Sequence, residues 1–256
     1  MTKPYSLKLG LSLFAFGLVG CQSIADPVPT DQVNNSVTYV QAGEGSYNHQ
    51  AISRLSQHEG VTPEYKFSGT PLHTFQKADS NHTQAFVALR NDIVKGHLIE
   101  ETVKAVQQYK ITHVTAAVAE PIAMCLLRTK TAISQQLPLK AIASHPAALA
   151  QVTKWKSGKA LSELSEPKGT SEAARLLSVG AYPETTAAIG SCMLPELYPS
   201  LSVAEYNIQD IENNTTLFGR FYVEKREKSI SKKDAIEALK AVIDEAYPLS
   251  EWSKTS

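Results

Sequence analysis

The chain has 256 residues, with 25 basic and 25 acidic side chains, so its formal net charge is 0. This length suits one large domain or two small lobes, and the balanced charge argues against a partner of strong opposite charge. The Lys and Arg residues are scattered and are not interleaved with aromatic residues in one segment, which excludes a nucleic-acid partner.

The first twenty residues differ in kind from the rest. Lys3 and Lys8 precede an apolar run over residues 9–19, which is shorter than the ~20 residues that a membrane-spanning helix needs. A basic start and a short apolar run are typical of a secretory signal peptide, whereas a buried amphipathic segment, the alternative, would not be apolar throughout. The run ends in Leu18-Val19-Gly20-Cys21, which resembles a bacterial lipobox. We therefore predict a signal peptide at residues 1–20 and lipidation of Cys21.

Residues 21–36 contain prolines and asparagines but little apolar periodicity, so we predict a tether between the membrane and the domain. Gln22 follows the lipidation site. In Gram-negative lipoproteins, a residue other than aspartate at that position implies sorting to the outer membrane. The resemblance to lipoproteins thus implies a periplasmic protein whose membrane partner is reached through the lipid on Cys21.

Export would place the domain in an oxidising compartment, where only Cys125 and Cys192 remain unlipidated. Both cysteines lie in apolar, strand-like segments, where a buried thiol packs as a small hydrophobic group. We expect buried free thiols, with a disulfide between the two as the alternative.

From Val37 onward, short apolar or β-branched runs alternate with helical patterns, which is the signature of an α/β domain with a helix-covered sheet. Strands are predicted over residues 37–41, 85–89, 111–118, 122–127, 139–143, 186–189, 203–208 and 217–223, and helices over residues 47–57, 71–77, 98–109, 146–155, 171–178 and 232–246.

Three predicted helices begin at a hydroxyl residue, Ser46, Ser144 or Thr170, that could accept hydrogen bonds from backbone N–H groups. Helix N-termini attract anions, so three such ends around one crevice would hold carboxylates. The alternative is that each residue only caps its own helix. The seven histidines and the cysteines show no metal-binding spacing, so no metal is expected.

Six strings then follow one another in an order and spacing that are hard to obtain by accident. Together, over about residues 37–223, they resemble the catalytic domain of the prephenate dehydratase family. They are Gly43-Glu44-Gly45-Ser46-Tyr47-Asn48-His49-Gln50-Ala51, residues 122–127 ending in Cys-Leu-Leu, Ser144-His145-Pro146, Gly169-Thr170-Ser171-Glu172-Ala173-Ala174, Ala187-Ala188-Ile189-Gly190-Ser191, and Asn207-Ile208-Gln209-Asp210 followed by Asn213-Asn214-Thr215-Thr216.

The resemblance implies two Rossmann-like lobes with an interlobe cleft, as in type 2 periplasmic binding proteins. The domain would span residues 37–225, with lobe 1 at about 37–116 and 206–225, and lobe 2 at about 117–205. The chain would cross between the lobes near residues 116–121 and 201–206, and the ligand would lie in the cleft. Residues 226–256 are expected to form a C-terminal helix that packs on the lobe, because Ile236, Leu239, Val242 and Ile243 lie on one face of an amphipathic pattern. The resemblance also implies that the ~30 residues after Val223 leave no room for the family's regulatory domain.

The family converts prephenate to phenylpyruvate in phenylalanine biosynthesis and needs no cofactor. By resemblance, Thr216 is the catalytic residue that assists the leaving hydroxyl group. The residues expected to bind the substrate are Ser46, Arg90, Asn91, Asp92, Ser144, Thr170, Ser191, Asn214 and Arg220.

The chain departs from the family in its Thr-Arg-Phe motif, which matches Thr216-Leu217-Phe218. The resemblance implies that the missing arginine contacts a substrate carboxylate, and losing such a partner typically costs about 2 to 5 kcal/mol. Arg220 is the nearest substitute, but it lies at an odd separation from Leu217 and needs a bulge at Gly219 to face the same side. The alternative is that Arg220 is a solvated strand residue.

The first lobe departs as well, because Ala88-Leu89-Arg90-Asn91-Asp92 corresponds to the family's Pro-Ile-Glu-Asn-Ser. One residue is inserted, so either Asn91 or Asp92 could take the asparagine position. Arg90 could supply a relocated positive charge at the cleft mouth, or it could be a solvated surface residue. Met124 stands where the family usually has a histidine, and a thioether is a poor proton donor or acceptor.

The sequence is compatible with three functions. The first is an exported prephenate or arogenate dehydratase without feedback control, which uses Thr216. The second is a solute-binding lipoprotein that keeps the cleft but has lost the chemistry, and the third is a decarboxylase of a prephenate-like acid. Each takes a small carboxylate such as prephenate as its ligand, and the sequence leaves the oligomeric state open, a homodimer included.

Overall fold

Two five-stranded sheets form the body of the protein in a computed structural model that describes residues 37–62, 64–93 and 97–254. In spatial order, sheet 1 consists of β2 (Tyr65–Phe67), β1 (Thr38–Val40), β3 (Gln84–Asn91), β10 (Thr215–Lys225) and β4 (Tyr109–Pro121), and sheet 2 consists of β7 (Ser162–Ser165), β6 (Ala141–Ser144), β8 (Thr186–Ser191), β5 (Met124–Thr129) and β9 (Leu201–Glu205).

Each sheet is mixed. In sheet 1, β1 is parallel to β2 and β3, whereas β10 runs antiparallel to β3 and β4. In sheet 2, β6 is parallel to β7 and β8, whereas β5 runs antiparallel to β8 and β9. The chain passes from sheet 1 to sheet 2 between β4 and β5 and returns between β9 and β10. The predicted two-lobe α/β fold of the type 2 periplasmic-binding-protein kind is thereby confirmed.

The crossings lie somewhat later in the chain than expected. Strand β4 continues to Pro121 because its last residues still pair with the start of β10. Residues 117–121, which are predicted to belong to lobe 2, therefore belong to sheet 1. The return segment occupies residues 206–214, after β9 has ended at Glu205.

Helices cover the faces of both sheets. Those of the described residues are α1 (Tyr47–Glu59), α2 (Pro71–Ser80), α3 (Glu100–Gln108), α4 (Lys130–Ser134), α5 (Pro146–Leu149), α6 (Thr153–Lys156), α7 (Thr170–Ser178), α8 (Leu194–Leu197) and α9 (Lys232–Leu249), followed by a 3-10 helix (Glu251–Lys254).

The predicted helix caps have mixed outcomes. Ser46 caps α1, where its Oγ accepts a hydrogen bond from His49 N at 3.3 Å. Ser144 is not a cap, because it ends β6 and its hydroxyl donates to the Ile189 carbonyl at 2.6 Å; His145 caps α5 instead. Thr170 is the first residue of α7 rather than its cap, since Gly169 precedes it with φ 127°.

The helix predicted over residues 146–155 is two short helices. Val152 leaves helical geometry, with φ −124° and ψ 32°. The carboxylate of Asp210, on the return segment between the sheets, accepts hydrogen bonds from Thr153 N at 2.9 Å and Lys154 N at 2.8 Å. The carboxylate of Asp210, which is distant in sequence, thus caps the N-terminus of α6, and a second helix begins there.

Sheet 1 separates two apolar clusters. On one face, α2, α3 and α9 pack over Leu217 and Phe221, and α9 contributes Leu239 and Ile243, as its predicted amphipathic pattern requires. On the other face, α1 packs over Phe86 and Phe218. Thr216 and Phe218 therefore lie on one side of β10, and Leu217 lies on the other.

The two cysteines form a disulfide, so the expectation of free thiols is wrong. Cys125 lies on β5 and pairs in register with Gly190 on β8, and Cys192 follows directly after the end of β8. Strand pairing therefore brings together two cysteines that are 67 residues apart in the sequence. The apolar pattern of each strand does not show that β5 and β8 lie next to each other, so the disulfide could not be predicted from it.

The predicted signal peptide, the Cys21 lipidation site and the tether lie outside the described residues. In the part of the chain that the structure describes, no helix is both long and apolar enough to cross a membrane.

Candidate functional site

A cavity of about 340 Å³ opens between the two lobes, beside both chain crossings. Sheet 1 and α1 supply one wall, the starts of α5 and α7 supply the other, and residues next to the crossings form the floor. Its polar lining residues are Gln41, Tyr47, Asn48, Asn91, His145, Gln151, Thr170, Asn214 and Thr216, and its larger apolar ones are Ile93, Ile99, Ile122, Met124 and Phe218.

Three predicted site residues meet in this cavity as one hydrogen-bonded cluster. Asn91 Nδ2 donates to Thr216 Oγ1 at 2.7 Å and to Asn214 Oδ1 at 2.8 Å. All three side chains are buried. Asn91 ends β3 and pairs with Thr216 at the start of β10, so the register of sheet 1 holds the cluster together.

The orientation of the Asn91 amide decides what Thr216 can do. Ile93 N donates to Asn91 Oδ1 at 3.1 Å, which identifies that atom as oxygen and places the amide nitrogen against Thr216. The Thr216 oxygen is therefore an acceptor towards Asn91, and its own proton has no acceptor among the described residues. The hydroxyl can donate that proton to a ligand in the cavity.

The opposite wall offers donors from the second lobe. His145 Nδ1 accepts a hydrogen bond from Ala147 N at 3.2 Å, so in the neutral ring the proton is on Nε2, which can donate to a ligand. Thr170 begins α7, a helix of nine residues whose first N–H groups and dipole favour an anion. The described lining residues include no Lys, Arg, Asp or Glu.

Helix α1 adds two polar groups to the cavity. The Oδ1 atom of Asn48 is buried and has no hydrogen-bond partner among the described residues. Tyr47 donates its hydroxyl to the Ala123 carbonyl at 3.0 Å, and burial raises its pKa, so it stays neutral. An unpaired buried acceptor is costly, which makes Asn48 a candidate partner for an N–H or O–H group of a ligand.

Several predicted binding residues are not brought to this cavity. The side chains of Ser46, Ser144 and Ser191 are engaged within the protein, Ser191 through its hydrogen bond to Gln50 Oε1. Of the two candidates for the asparagine position, Asn91 lines the cavity, whereas Asp92 lines a second cavity on the other face of sheet 1.

The two arginines proposed as substitutes also lie elsewhere. Arg90 faces away from the cleft, 3.3 Å from Asp92. Arg220 is on the same side of β10 as Thr216 but farther along the strand, where Nη1 and Nη2 bond to Glu59 at 2.8 and 2.7 Å. No bulge at Gly219 occurs; the register shifts of β10 fall at residues 217/218, 220/221 and 222/223. Arg220 is therefore an ion-pair partner at the end of α1.

The polar lining residues that were not predicted as site residues from the sequence are Gln41, Tyr47, Asn48, His145 and Gln151. All five lie in or close to the segments that resemble the family, so the signal was present in the sequence. The periodicity of a short helix does not show which of its sides faces the cleft, because the cleft is formed by both lobes together.

The turn before α1 is fixed by His49. Gly45 N donates to His49 Nδ1 at 3.0 Å, and Nε2 lies 3.1 Å from the Tyr65 hydroxyl. Gly45 has φ 76°, and a Cβ there would lie 2.5 Å from Leu194 Cδ2 in the second lobe. The left-handed backbone therefore favours glycine here, and a Cβ would also displace the Leu194 side chain.

Lowering the pH should destabilise the protein through His49. Burial lowers the pKa of His49 below 6.5, against the opposing effect of Glu44 and Glu196. The unfolded chain then binds more protons than the folded one between the two pKa values, so the free energy of unfolding falls as the pH drops below about 6.5. Urea unfolding of wild type and His49→Gln between pH 8 and pH 5 measures this, and the variant should show a shallower decline. Parallel curves would contradict the assignment.

A two-lobe α/β body with a ligand-sized cavity at the lobe junction places the protein among small-molecule-binding proteins and enzymes of this architecture. The sequence matches the family model of prephenate dehydratase over residues 38–229, and the chain therefore belongs to that family. A comparison with curated proteins finds no significant match. Groups of at least three His, Cys, Asp or Glu that could hold a metal do not occur among the described residues.

Solved structures share the fold at low identity. The chain is similar to a prephenate dehydratase from Arthrobacter aurescens, solved in complex with L-Phe (TM-score 0.58, 19% identity, covering 74% of this chain and 60% of that chain). It is also similar to the prephenate dehydratase of Staphylococcus aureus subsp. aureus Mu50 (0.56, 16%, 75% and 67%). A third is GqqA, described as a novel type of quorum quenching acylase (0.54, 20%, 76% and 66%). The chain spans about 60 to 67% of the length of these structures.

Proposed function

We propose that the protein is a prephenate or arogenate dehydratase that acts in the cleft between its two lobes. The observation that carries the proposal is the Thr216 hydroxyl, whose oxygen accepts from Asn91 and whose proton is left for a ligand. The fold alone does not fix the reaction, since GqqA shares it and is described as an acylase. Family membership together with this donor favours the dehydratase.

The reaction needs little more than placement and one good donor. In prephenate, the bond between the ring and its carboxylate breaks and releases carbon dioxide. The electron pair of that bond makes the ring aromatic and expels hydroxide, which takes up a proton to become water. Because aromatisation is strongly downhill, the protein has mainly to hold the carboxylates and to stabilise the departing oxygen. Thr216 is positioned to do the second.

The carboxylates would be held by the second lobe. His145 Nε2, the Thr170 hydroxyl and the free N–H groups at the start of α7 can all donate to anionic oxygens. Asn48 Oδ1 can accept from the substrate hydroxyl or, in arogenate, from the ammonium group. If the wild type prefers arogenate to prephenate and Asn48→Leu loses this preference, the ammonium group of arogenate is the partner of Asn48.

The substitution of the family arginine by Leu217 does not remove a cleft cation in this structure. Leu217 lies in the core under α9, and directly opposite it on β3 is Arg90. By resemblance, the matched family positions carry Arg and Glu. In this chain both positions are on the face of sheet 1 opposite Thr216, so the change leaves the Thr216 face intact.

Turnover separates this proposal from a solute-binding protein. The chain from Gln22 onward, purified with its disulfide intact, is incubated with prephenate near neutral pH while phenylpyruvate is followed. Phenylpyruvate formation that depends on Thr216 supports the dehydratase. Thermal stabilisation by prephenate without turnover supports the binding protein. If prephenate is neither converted nor stabilises the protein, both functions are excluded for prephenate.

We further propose that the protein is exported and attached to the outer membrane through a lipid on Cys21. The apolar run before Cys21 supports this location, and so does the Cys125–Cys192 disulfide, which is typical of proteins in oxidising compartments.

Replacement of Cys21 should release the protein from the membrane. In a Gram-negative host supplied with radioactive palmitate, the wild-type chain should carry label and sediment with the outer membrane, because acyl chains bind the bilayer. Cys21→Ser should be unlabelled and soluble. Equal labelling of both proteins would overturn the lipidation site.

A further inference from the structure

A second cavity of about 330 Å³ lies behind β10, on the face of sheet 1 opposite the cleft. The ends of β3 and β4, the start of β10 and the C-terminal helices enclose it. Its lining residues are Arg90, Asp92, Ala119, Pro121, Thr215, Leu217, Tyr247 and Ser253. Pockets for small molecules begin at roughly this size.

The cavity contains a charged pair that is only partly satisfied. Arg90 Nη2 lies 3.3 Å from Asp92 Oδ1, and both side chains remain partly exposed, at 34% and 42%. Arg90 Nε is shielded from water and has no hydrogen-bond partner among the described residues. A guanidinium has five donors in a fixed fork, so a carboxylate can bind the two terminal nitrogens together.

The rest of the wall divides into polar and apolar parts. Leu217, Ala119 and Pro121 present aliphatic surface, and Tyr247 adds an aromatic residue from α9. Thr215 lies beside Asp92, whose backbone N–H donates to the Thr215 carbonyl at 3.0 Å. A cation, an anion and an apolar wall are therefore close together in one cavity.

We propose that this cavity binds a free amino acid with an apolar side chain. Its carboxylate would bind Arg90, its ammonium group would bind Asp92, and its side chain would pack against Leu217 and Tyr247. A zwitterion adds no net charge to a site in which Arg90 and Asp92 already balance. A simple carboxylate would leave Asp92 facing a like charge, and a simple amine would do the same to Arg90.

The proposal concerns a site distinct from the cleft. Thr215 and Leu217 line the rear cavity, while Thr216 between them lines the cleft. Binding to the rear cavity can therefore be measured without turnover, and its outcome is independent of the proposed reaction.

The test compares L-leucine with two analogues that each lack one charged group, 4-methylpentanoate and 3-methylbutan-1-amine. Isothermal titration of the full chain should give a dissociation constant for L-leucine at least about tenfold below that of either analogue. Arg90→Gln and Asp92→Asn should each weaken L-leucine binding by at least about tenfold. Thr216→Val, on the cleft side, and Lys232→Met, in an exposed ion pair, should leave it unchanged.

Absence of L-leucine binding overturns the proposal, and so does equal binding of the carboxylate analogue. Full affinity in both Arg90→Gln and Asp92→Asn has the same consequence, because binding would then occur elsewhere. If Arg90→Gln does not fold, as judged by its unfolding transition, Asp92→Asn decides the result alone.

Discussion

Thr216→Val is expected to lower kcat for prephenate by roughly 100- to 1000-fold, which corresponds to about 2.7 to 4 kcal/mol of transition-state stabilisation. Valine keeps the shape of threonine but cannot donate a hydrogen bond to the departing hydroxide. KM should change little, because carboxylate binding is assigned to the opposite lobe. Steady-state formation of phenylpyruvate measures both constants.

Two variants make this expectation specific. Thr216→Ser keeps the hydroxyl and should retain activity to within about tenfold. Thr38→Val replaces another buried strand threonine of sheet 1, one that does not line the cavity, and should behave like wild type. If Thr216→Val were as active as Thr38→Val, the catalytic assignment would be refuted.

Asn91 is a positioning residue, and Asn91→Asp tests how it orients Thr216. The carboxylate can only accept, so the Thr216 proton would turn from the cavity towards residue 91. We expect kcat to fall nearly as far as in Thr216→Val while KM is retained. A residue that only maintained the fold would instead change the unfolding transition without this split between kcat and KM.

Arg54→Met should cost about 2 to 4 kcal/mol in the free energy of unfolding, because it leaves the buried carboxylate of Glu120 without its cation. Arg54 Nη1 lies 3.1 Å from Glu120 Oε2, and the Glu120 side chain is only 6% exposed. Gln50 Nε2 donates to the other carboxylate oxygen at 2.6 Å. Gln50 also bonds to Ser191 in the second lobe, so the network joins α1, sheet 1 and sheet 2. Urea unfolding measures the loss.

An exposed ion pair provides the matched control. Lys232 and Glu100 are 2.8 Å apart but 58% and 47% exposed, so Lys232→Met should cost less than about 1 kcal/mol. Adding Glu120→Gln to Arg54→Met should recover part of the stability, since the unpaired charge is removed. If Arg54→Met and Lys232→Met lowered the free energy of unfolding equally, the burial of Glu120 would be unimportant for the strength of its ion pair.

The sequence predicted the main strands because each is an apolar run that ends in turn residues. It did not predict β2 and β7, since these are three- and four-residue edge strands with mostly polar or exposed residues. The single helix predicted over residues 146–155 is divided by Asp210, which reaches α6 from another part of the chain. Short edge strands and caps that are distant in sequence depend on tertiary structure, which local patterns do not contain.

The candidate site was predictable in part. Strand alternation alone indicates that Thr216 and Leu217 cannot both face the cleft. The choice of Asn91 over Asp92, by contrast, depends on a register shift between β3 and β10 near Leu217. Such irregularities depend on the packing of both sheet faces, and they have no signature in a single strand.

The disulfide has a practical consequence for anyone who prepares this protein. Met124 in the cavity floor is directly followed by Cys125, and Ser191, which bonds to Gln50, is directly followed by Cys192. Material made in a reducing cytosol would lack the covalent bond between these two segments, and its cleft floor would be less firmly held. A negative assay on such material would describe the reduced form, so thiol content should be titrated before activity is judged.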